Sequence, residues 1–186
     1  MPNFHRWRIA GASYFFTSVT AGRRPLFWNQ VARALLSNTI RECRAKWDFG
    51  LDAIVLLPDH WHVLITLPPG DDEYPKRMGW IKKEFTKAWL NAGGKEVPVT
   101  HSQKQLRRRG VWQPRFWEHT IRDDEDFEAH VNYIHYNPVK HGYVSAPADW
   151  KWSSFIQWVD KGAYTLDWGT GIVTLPANMA SRDFGE

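Results

Sequence analysis

Apolar and polar residues alternate with two different periods along this chain, and the switches between those periods predict its elements. Ser13 to Thr20 is a β-branched and aromatic run, broken by Gly22-Arg23-Arg24-Pro25, and predicts a strand. Asn29 to Lys46 carries Val31, Leu35, Ile40 and Cys43 at roughly helical spacing. Phe49 to Leu57 and His60 to Leu67 are strand-like, and the turn chemistry of Pro58-Asp59 predicts a tight antiparallel hairpin between them. Lys76 to Leu90 predicts a helix with Met78, Ile81, Phe85 and Trp89 on one face. Asn91 to Gly110 is polar, holds Gly93-Gly94, and predicts a flexible loop. Val111 to Ile121 begins as loop and ends as strand. Asp123 to Tyr136 predicts a helix whose acidic first turn suits the helix dipole and which Pro138 stops.

This order of elements predicts an α+β fold, an antiparallel sheet with helices packed on one face, of ferredoxin-like type. The 186 residues suffice for one core, with no repeat and no second domain. The expected organisation is a single domain over 1–186, with the Trp-rich 143–186 a C-terminal extension wrapping it.

Composition narrows the class. The formal charge of +4 is basic without being extreme, and its distribution says more. Lys76, Arg77, Lys82, Lys83 and Lys87 share one expected helix; Lys104, Arg107, Arg108 and Arg109 form a second cluster; Arg6, Arg8, Arg23 and Arg24 form a third. Such clusters suit a phosphate backbone, although a solvated helix face would look similar. The 12 tryptophans are unusual in number; most are expected to pack in the core, and others to offer stacking faces for bases of any sequence. One cysteine, Cys43, excludes an internal disulfide and fits a reducing cytosol. The N-terminus lacks the apolar core of a signal peptide, and no apolar run approaches membrane-spanning length, so a soluble cytoplasmic protein is expected.

Candidate chemistry centres on His60-Trp61-His62. On a strand, His60 and His62 point to one face and Trp61 to the other. Two adjacent imidazoles make half of a metal site. In the last helix, Phe127, Val131 and Ile134 share a stripe expected to pack on the sheet, while His130, Tyr133 and Asn137 share a neighbouring one. That second stripe can bring the Tyr133 hydroxyl beside the metal and the Asn137 amide oxygen as third ligand.

The flanked pair His60-Trp61-His62 resembles the histidine–hydrophobic–histidine (HUH) motif of single-tyrosine transposases. The run Tyr133-Ile134-His135-Tyr136-Asn137-Pro138-Val139-Lys140-His141-Gly142 and the segment Trp112-Gln113-Pro114-Arg115-Phe116-Trp117-Glu118-His119 resemble those of REP-associated tyrosine transposases. Order and spacing of all three agree, from about Arg6 to Trp152. The resemblance implies an HUH endonuclease fold and a nickase and strand transferase acting on single-stranded DNA hairpins of the repetitive extragenic palindrome (REP) type. It implies that His60, His62 and Asn137 hold Mg²⁺ or Mn²⁺, the oxygen-completed set favouring a hard cation over structural zinc. It implies that Tyr133 attacks phosphorus to give a 5′-phosphotyrosine and a free 3′-OH. Many insertion-sequence relatives carry Gln where this chain has Asn137, and the REP-associated branch commonly carries Asn. Arg6, Arg8, Lys82, Lys83, Arg107, Arg108, Arg109 and Arg115 are the candidate DNA contacts, with Phe4 to Arg8 expected to help read a short tetranucleotide beside the hairpin.

Three alternatives stay open on the residues alone. Tyr136 is a rival nucleophile, but without the one-turn offset to Asn137. A non-catalytic binder of single-stranded hairpins would share the basic clusters. A zinc hydrolase would use His60, His62 and a further histidine, but no carboxylate base stands at motif spacing.

Overall fold

The computed structural model describes residues 8–171 and 184. A four-stranded antiparallel sheet holds β1 (Ser13–Val19), β2 (Gly50–Leu56), β3 (His60–Thr66) and β4 (Trp117–Thr120) in the order β2-β3-β1-β4. The helices are α1 (Gln30–Lys46), α2 (Tyr74–Asn91), α3 (His101–Gln105), α4 (Asp124–Lys140) and α5 (Phe155–Asp160). The fold is therefore α+β, with the seven expected strands and helices in the expected order and two further short helices, α3 and α5, that the sequence did not predict. Among the described residues no helix is long and apolar enough to cross a membrane.

The helices do not share one face of the sheet. Tyr14 and Phe16 of β1 and Trp61, Val63 and Ile65 of β3 pack under α1 and α2. Phe15 of β1, Ala53 and Val55 of β2 and Leu64 of β3 pack under Ala129, Val131, Tyr133 and Ile134 of α4. The central strands are apolar on both sides, and a sheet with two apolar faces needs a layer on each. The C-terminal segment joins the α4 layer. Trp150, Trp152, Phe155 and Trp158 pack there, and residues 152–154 bond to the outer edge of β2, with Leu56 N–H donating to the Trp152 carbonyl at 2.8 Å. This covers an edge that would otherwise be exposed.

Local chemistry accounts for the element ends. Asn29 caps α1 by accepting from Val31 N–H at 2.8 Å, and Asp123 caps α4 by accepting from Asp126 N–H at 2.8 Å. Pro138 does not stop α4, which runs to Lys140. A proline removes only its own donor, and the next turn is still closed by His141 N–H to Asn137 at 3.0 Å and Tyr143 N–H to Pro138 at 3.0 Å. Gly142, at φ +70°, ends the helix.

The segment 91–110 is more ordered than its polarity suggests. A Thr100–Gln103 capping box starts α3. The base is closed by Val97 N–H to the Gly110 carbonyl at 2.9 Å and by Arg109 on Glu96 at 2.6 Å. Gly110 is required here, since a Cβ would lie 1.9 Å from the Val97 carbonyl oxygen.

Candidate functional site: a buried histidine pair facing a tyrosine

β3 positions the two histidines. His60 and His62 project from its α4 side, buried, with ring centroids 4.9 Å apart, while Trp61 lies in the opposite layer. Strand register then sets the partner of each. Thr17 stands opposite His62 on β1, with its Oγ1 2.8 Å from His62 Nδ1. The one proton of that hydroxyl goes to the carbonyl of Phe184 at 2.6 Å, so Thr17 accepts from His62. At His60, Nδ1 lies 2.6 Å from Asp59 Oδ1, and a carboxylate only accepts. Burial alone would raise the Asp59 pKa, but the hydrogen bonds from His60 and Arg23 and the Arg23 charge outweigh it and hold the carboxyl below its usual value. Both imidazoles therefore carry their proton on Nδ1 and their lone pair on Nε2, the form a metal-binding histidine takes.

α4 supplies the facing side. The Tyr133 ring lies 5.3 Å from His62, and the His141 ring 5.3 Å from His60. Asn137 lies one turn from each on the same stripe and is fully buried. Two imidazole nitrogens and one amide oxygen fit a divalent cation that keeps positions for water or phosphate oxygens.

The Tyr133 hydroxyl accepts a 3.0 Å hydrogen bond from Lys140 Nζ, which also lies 4.8 Å from the ring centroid. Tyr133 is 2% exposed, because the Phe184 ring stacks on it at 3.5 Å and 10°. Tyr136 packs elsewhere, edge-on to Trp168 at 6.4 Å. The structure thus brings Tyr133 against the His60–His62 pair, with Asn137 buried one turn further along α4, while the Tyr136 ring meets Trp168. Lys140, His141, Thr17, Asp59 and Phe184 join them without having been singled out from sequence. Lys140 and His141 were hidden by the expectation that Pro138 ends the helix.

Two other histidine environments stand apart. His135 is enclosed by Phe155, Trp158 and Tyr164, bonds Ser154 Oγ at 2.8 Å, and is pushed down to a pKa of about 3 by burial. His119, Asp126 and His130 have ligand atoms within 4.8 Å of one another. The Asp126 carboxylate already accepts from His119 Nε2 at 2.7 Å and from Arg122 N–H at 3.1 Å, which pins β4 to the first turn of α4. Burial opposes ionisation of Asp126, but the Arg122 side chain, which donates from Nε at 3.2 Å, together with those bonds prevails and lowers its pKa.

The candidate DNA contacts divide. Lys82, Lys83, Arg107 and Arg108 converge on a cavity of about 600 Å³ between α2 and the 97–110 loop, with Trp112 and Gln113 also in its wall and no carboxylate in its lining. Arg107 and Arg108 make no side-chain ion pair among the described residues, and Arg107 holds a left-handed backbone at φ 53°. Arg109 lines the same cavity but is bound to Glu96 through both Nε and Nη2, so folding does give it a role. Lys82 Nζ donates to the Gln113 carbonyl at 2.8 Å, and Lys83 and Lys87 lie 3.4 and 2.9 Å from Glu84. Arg77 is no surface cation: it is buried against Asp71 at 2.6 Å and the Asp48 carbonyl at 2.8 Å. Arg115 is exposed outside the cavity, Arg8 pairs with Glu73 at 2.9 Å, and Arg6 lies outside the described residues, as does the rest of the Phe4-to-Trp7 run.

Known proteins match this chain in sequence and in fold. The family model described as transposase IS200 like matches residues 9–137. A protein of Haemophilus influenzae, provisionally named a REP-associated tyrosine transposase, is 41% identical over 91% of this chain and 94% of its own length. The REP-associated tyrosine transposase of Escherichia coli K12 is 36% identical over 95% of this chain and 96% of its own. A solved structure of a REP-associated tyrosine transposase bound to a REP hairpin superposes with TM-score 0.77 at 36% identity, covering 95% of this chain and 96% of that one. The chain belongs to the IS200-like transposase family, within its REP-associated tyrosine transposases, and is an enzyme of that class.

Proposed function

We propose that this transposase cleaves and rejoins single-stranded DNA beside REP-type hairpins, through a 5′-phosphotyrosine on Tyr133, with Mg²⁺ or Mn²⁺ held by His60, His62 and Asn137. The observation that carries this reading is the Tyr133 ring 5.3 Å from His62, with a lysine ammonium on its hydroxyl. A cation bound there would polarise the scissile phosphate and orient it. Lys140 favours the phenolate by placing positive charge at the oxygen that must become nucleophilic. The Tyr133 oxygen forms a bond to phosphorus, the bond from phosphorus to the 3′ oxygen breaks, and that oxygen leaves as a 3′-OH after taking up a proton. The phosphodiester energy is kept in the tyrosyl ester, so rejoining by the reverse attack needs no nucleotide cofactor. Asp59 and Thr17 hold the imidazoles in the tautomer the cation needs. The basic cavity, with Lys82, Lys83, Arg107 and Arg108 in its wall, suits the backbone of a hairpin stem.

Tyr133→Phe tests the reading, because it removes only the nucleophilic oxygen. Incubated with a REP-type hairpin oligonucleotide and Mn²⁺, the wild type should give a covalent adduct on a denaturing gel. The variant should give none while binding the hairpin as before. An adduct at wild-type level would exclude Tyr133, and no adduct from wild type under any divalent ion would favour a non-catalytic hairpin binder.

A further inference from the structure

We propose that Trp28 and Tyr143 form the stacking platform for a base of the single-stranded DNA next to the cleavage point. This deepens the reading above and rests on it. Both rings are large and apolar, yet Trp28 is 51% and Tyr143 39% exposed. They are not loose. Trp28 sits edge-on to Tyr143, Trp150 and Trp152, each with centroids 5.9 Å away, and Tyr143 stacks on Trp150 at 5.4 Å and 25°. Packing therefore engages Tyr143 through its stacks and Trp28 through edge contacts, yet leaves about half of Trp28 open to solvent.

The platform is continuous with the proposed site. Tyr143 stacks on His141 at 5.9 Å and 26°, and His141 meets His60 at 5.3 Å. A strand leaving the histidine pair along this row would meet aromatic rings at every step. The loop after β1 ties the platform to the same end of β3: Thr20 N–H bonds Asp59 and Phe27 N–H bonds Pro58, both through backbone carbonyls, at 2.8 and 2.9 Å. That loop also contributes Ala21 and Gly22 to the basic cavity. The same loop thus borders both the cavity and the platform.

Charge indicates the kind of occupant. The Arg33 guanidinium lies 4.2 Å over the Trp152 ring, and a cavity of about 630 Å³ beside it is lined by Arg33, Arg41, Arg44 and Lys151 with no carboxylate. Exposed rings next to a cavity whose lining carries cations and no carboxylate match a polyanion whose bases have aromatic faces. An apolar protein partner would need the rings but not the cations.

The experiment measures binding of a hairpin oligonucleotide with a single-stranded flank, the same hairpin without a flank, and flanked versions carrying one abasic site at each position in turn. Wild-type protein should bind the flanked hairpin more tightly and lose roughly five- to a hundredfold at one abasic position. Trp28→Ala and Tyr143→Ala should lose a comparable factor on the intact flank, become indifferent to that abasic site, and bind the flankless hairpin normally. Trp28→Phe should restore part of the loss and keep the wild-type melting temperature. Variants that bind the flanked oligonucleotide like wild type would overturn the platform, as would equal losses on both hairpins. Adduct formation by the wild type separates the two levels: no adduct removes the underlying cleavage reading, whereas an adduct with unaffected variants removes the platform alone.

Discussion

Lys140 Nζ donates a 3.0 Å hydrogen bond to the Tyr133 hydroxyl from seven residues further along α4, and it can do so because the helix continues past Pro138. A cation at that oxygen favours the phenolate over the phenol. Lys140→Met removes that charge and should therefore slow adduct formation at neutral pH. The rate should recover as pH rises, and Lys140→Arg should retain part of it. A pH profile of single-turnover cleavage checks this, and an unchanged profile would remove Lys140 from the chemistry.

Thr17 orients His62 without touching substrate. Thr17→Val keeps the volume but deletes the acceptor, so the ring loses its fixed tautomer. The expected outcome is a Mn²⁺ affinity lowered by about ten- to a hundredfold, with saturating metal restoring most of the activity. His60→Ala and His62→Ala should instead stay inactive at any metal concentration, and EDTA should silence the wild type. Isothermal titration with Mn²⁺ and cleavage at graded metal separate these cases. Full activity in EDTA would exclude the metal role.

Phe184 stacks on a face of Tyr133 and contributes to burying the tyrosine. Phe184→Ala removes that ring, and single-turnover cleavage should accelerate several-fold. The Thr17 bond runs to the backbone carbonyl and survives the substitution. A rate equal to or below wild type would show that Phe184 does not obstruct the tyrosine.

The three consecutive arginines should behave differently from one another. Arg107→Ala with Arg108→Ala should weaken hairpin binding strongly at low salt and little at high salt, with a shallower salt slope. Arg109→Ala releases Glu96 and the base of the loop, so it should loosen the loop more than the affinity. Gly110→Ala should mimic it, since the new Cβ displaces the Val97 carbonyl. Binding titrations over a salt series, with limited proteolysis of the 97–110 loop, test the division. Equal salt slopes for the double variant and wild type would count against phosphate contacts there.

Arg77 carries stability rather than binding. Arg77→Met leaves Asp71 unpaired and the Asp48 carbonyl without its donor. A loss of about 1–2 kcal/mol is expected, because Asp71 is partly exposed and keeps its bond from Glu73 N–H, read from urea unfolding. Hairpin affinity of the folded variant should be unchanged.

Local pattern alone determined much of this protein. The strand and helix order follows from periodicity, and the shared face of His60 and His62 follows from the two-residue repeat of a strand. The stripe of Tyr133 and Asn137 follows from helical spacing, and the family was legible from three motifs in order. Tertiary structure decided what local pattern does not contain. Central strands apolar on both sides could have been covered by any pairing of helices, and only packing placed α4 opposite α1 and α2. Pro138 is a stop signal by its missing donor, yet bonds on either side of it carry the helix on to Lys140 and His141. The tautomer of His62 depends on Thr17, 45 residues earlier, and on the carbonyl of Phe184 at the far end of the chain. Arg77 and Arg109 read as surface cations until carboxylates distant in sequence claimed them. Electrostatic and hydrogen-bond partners are set by distance in space, and spacing along the chain constrains that distance only within an element or its neighbouring turn.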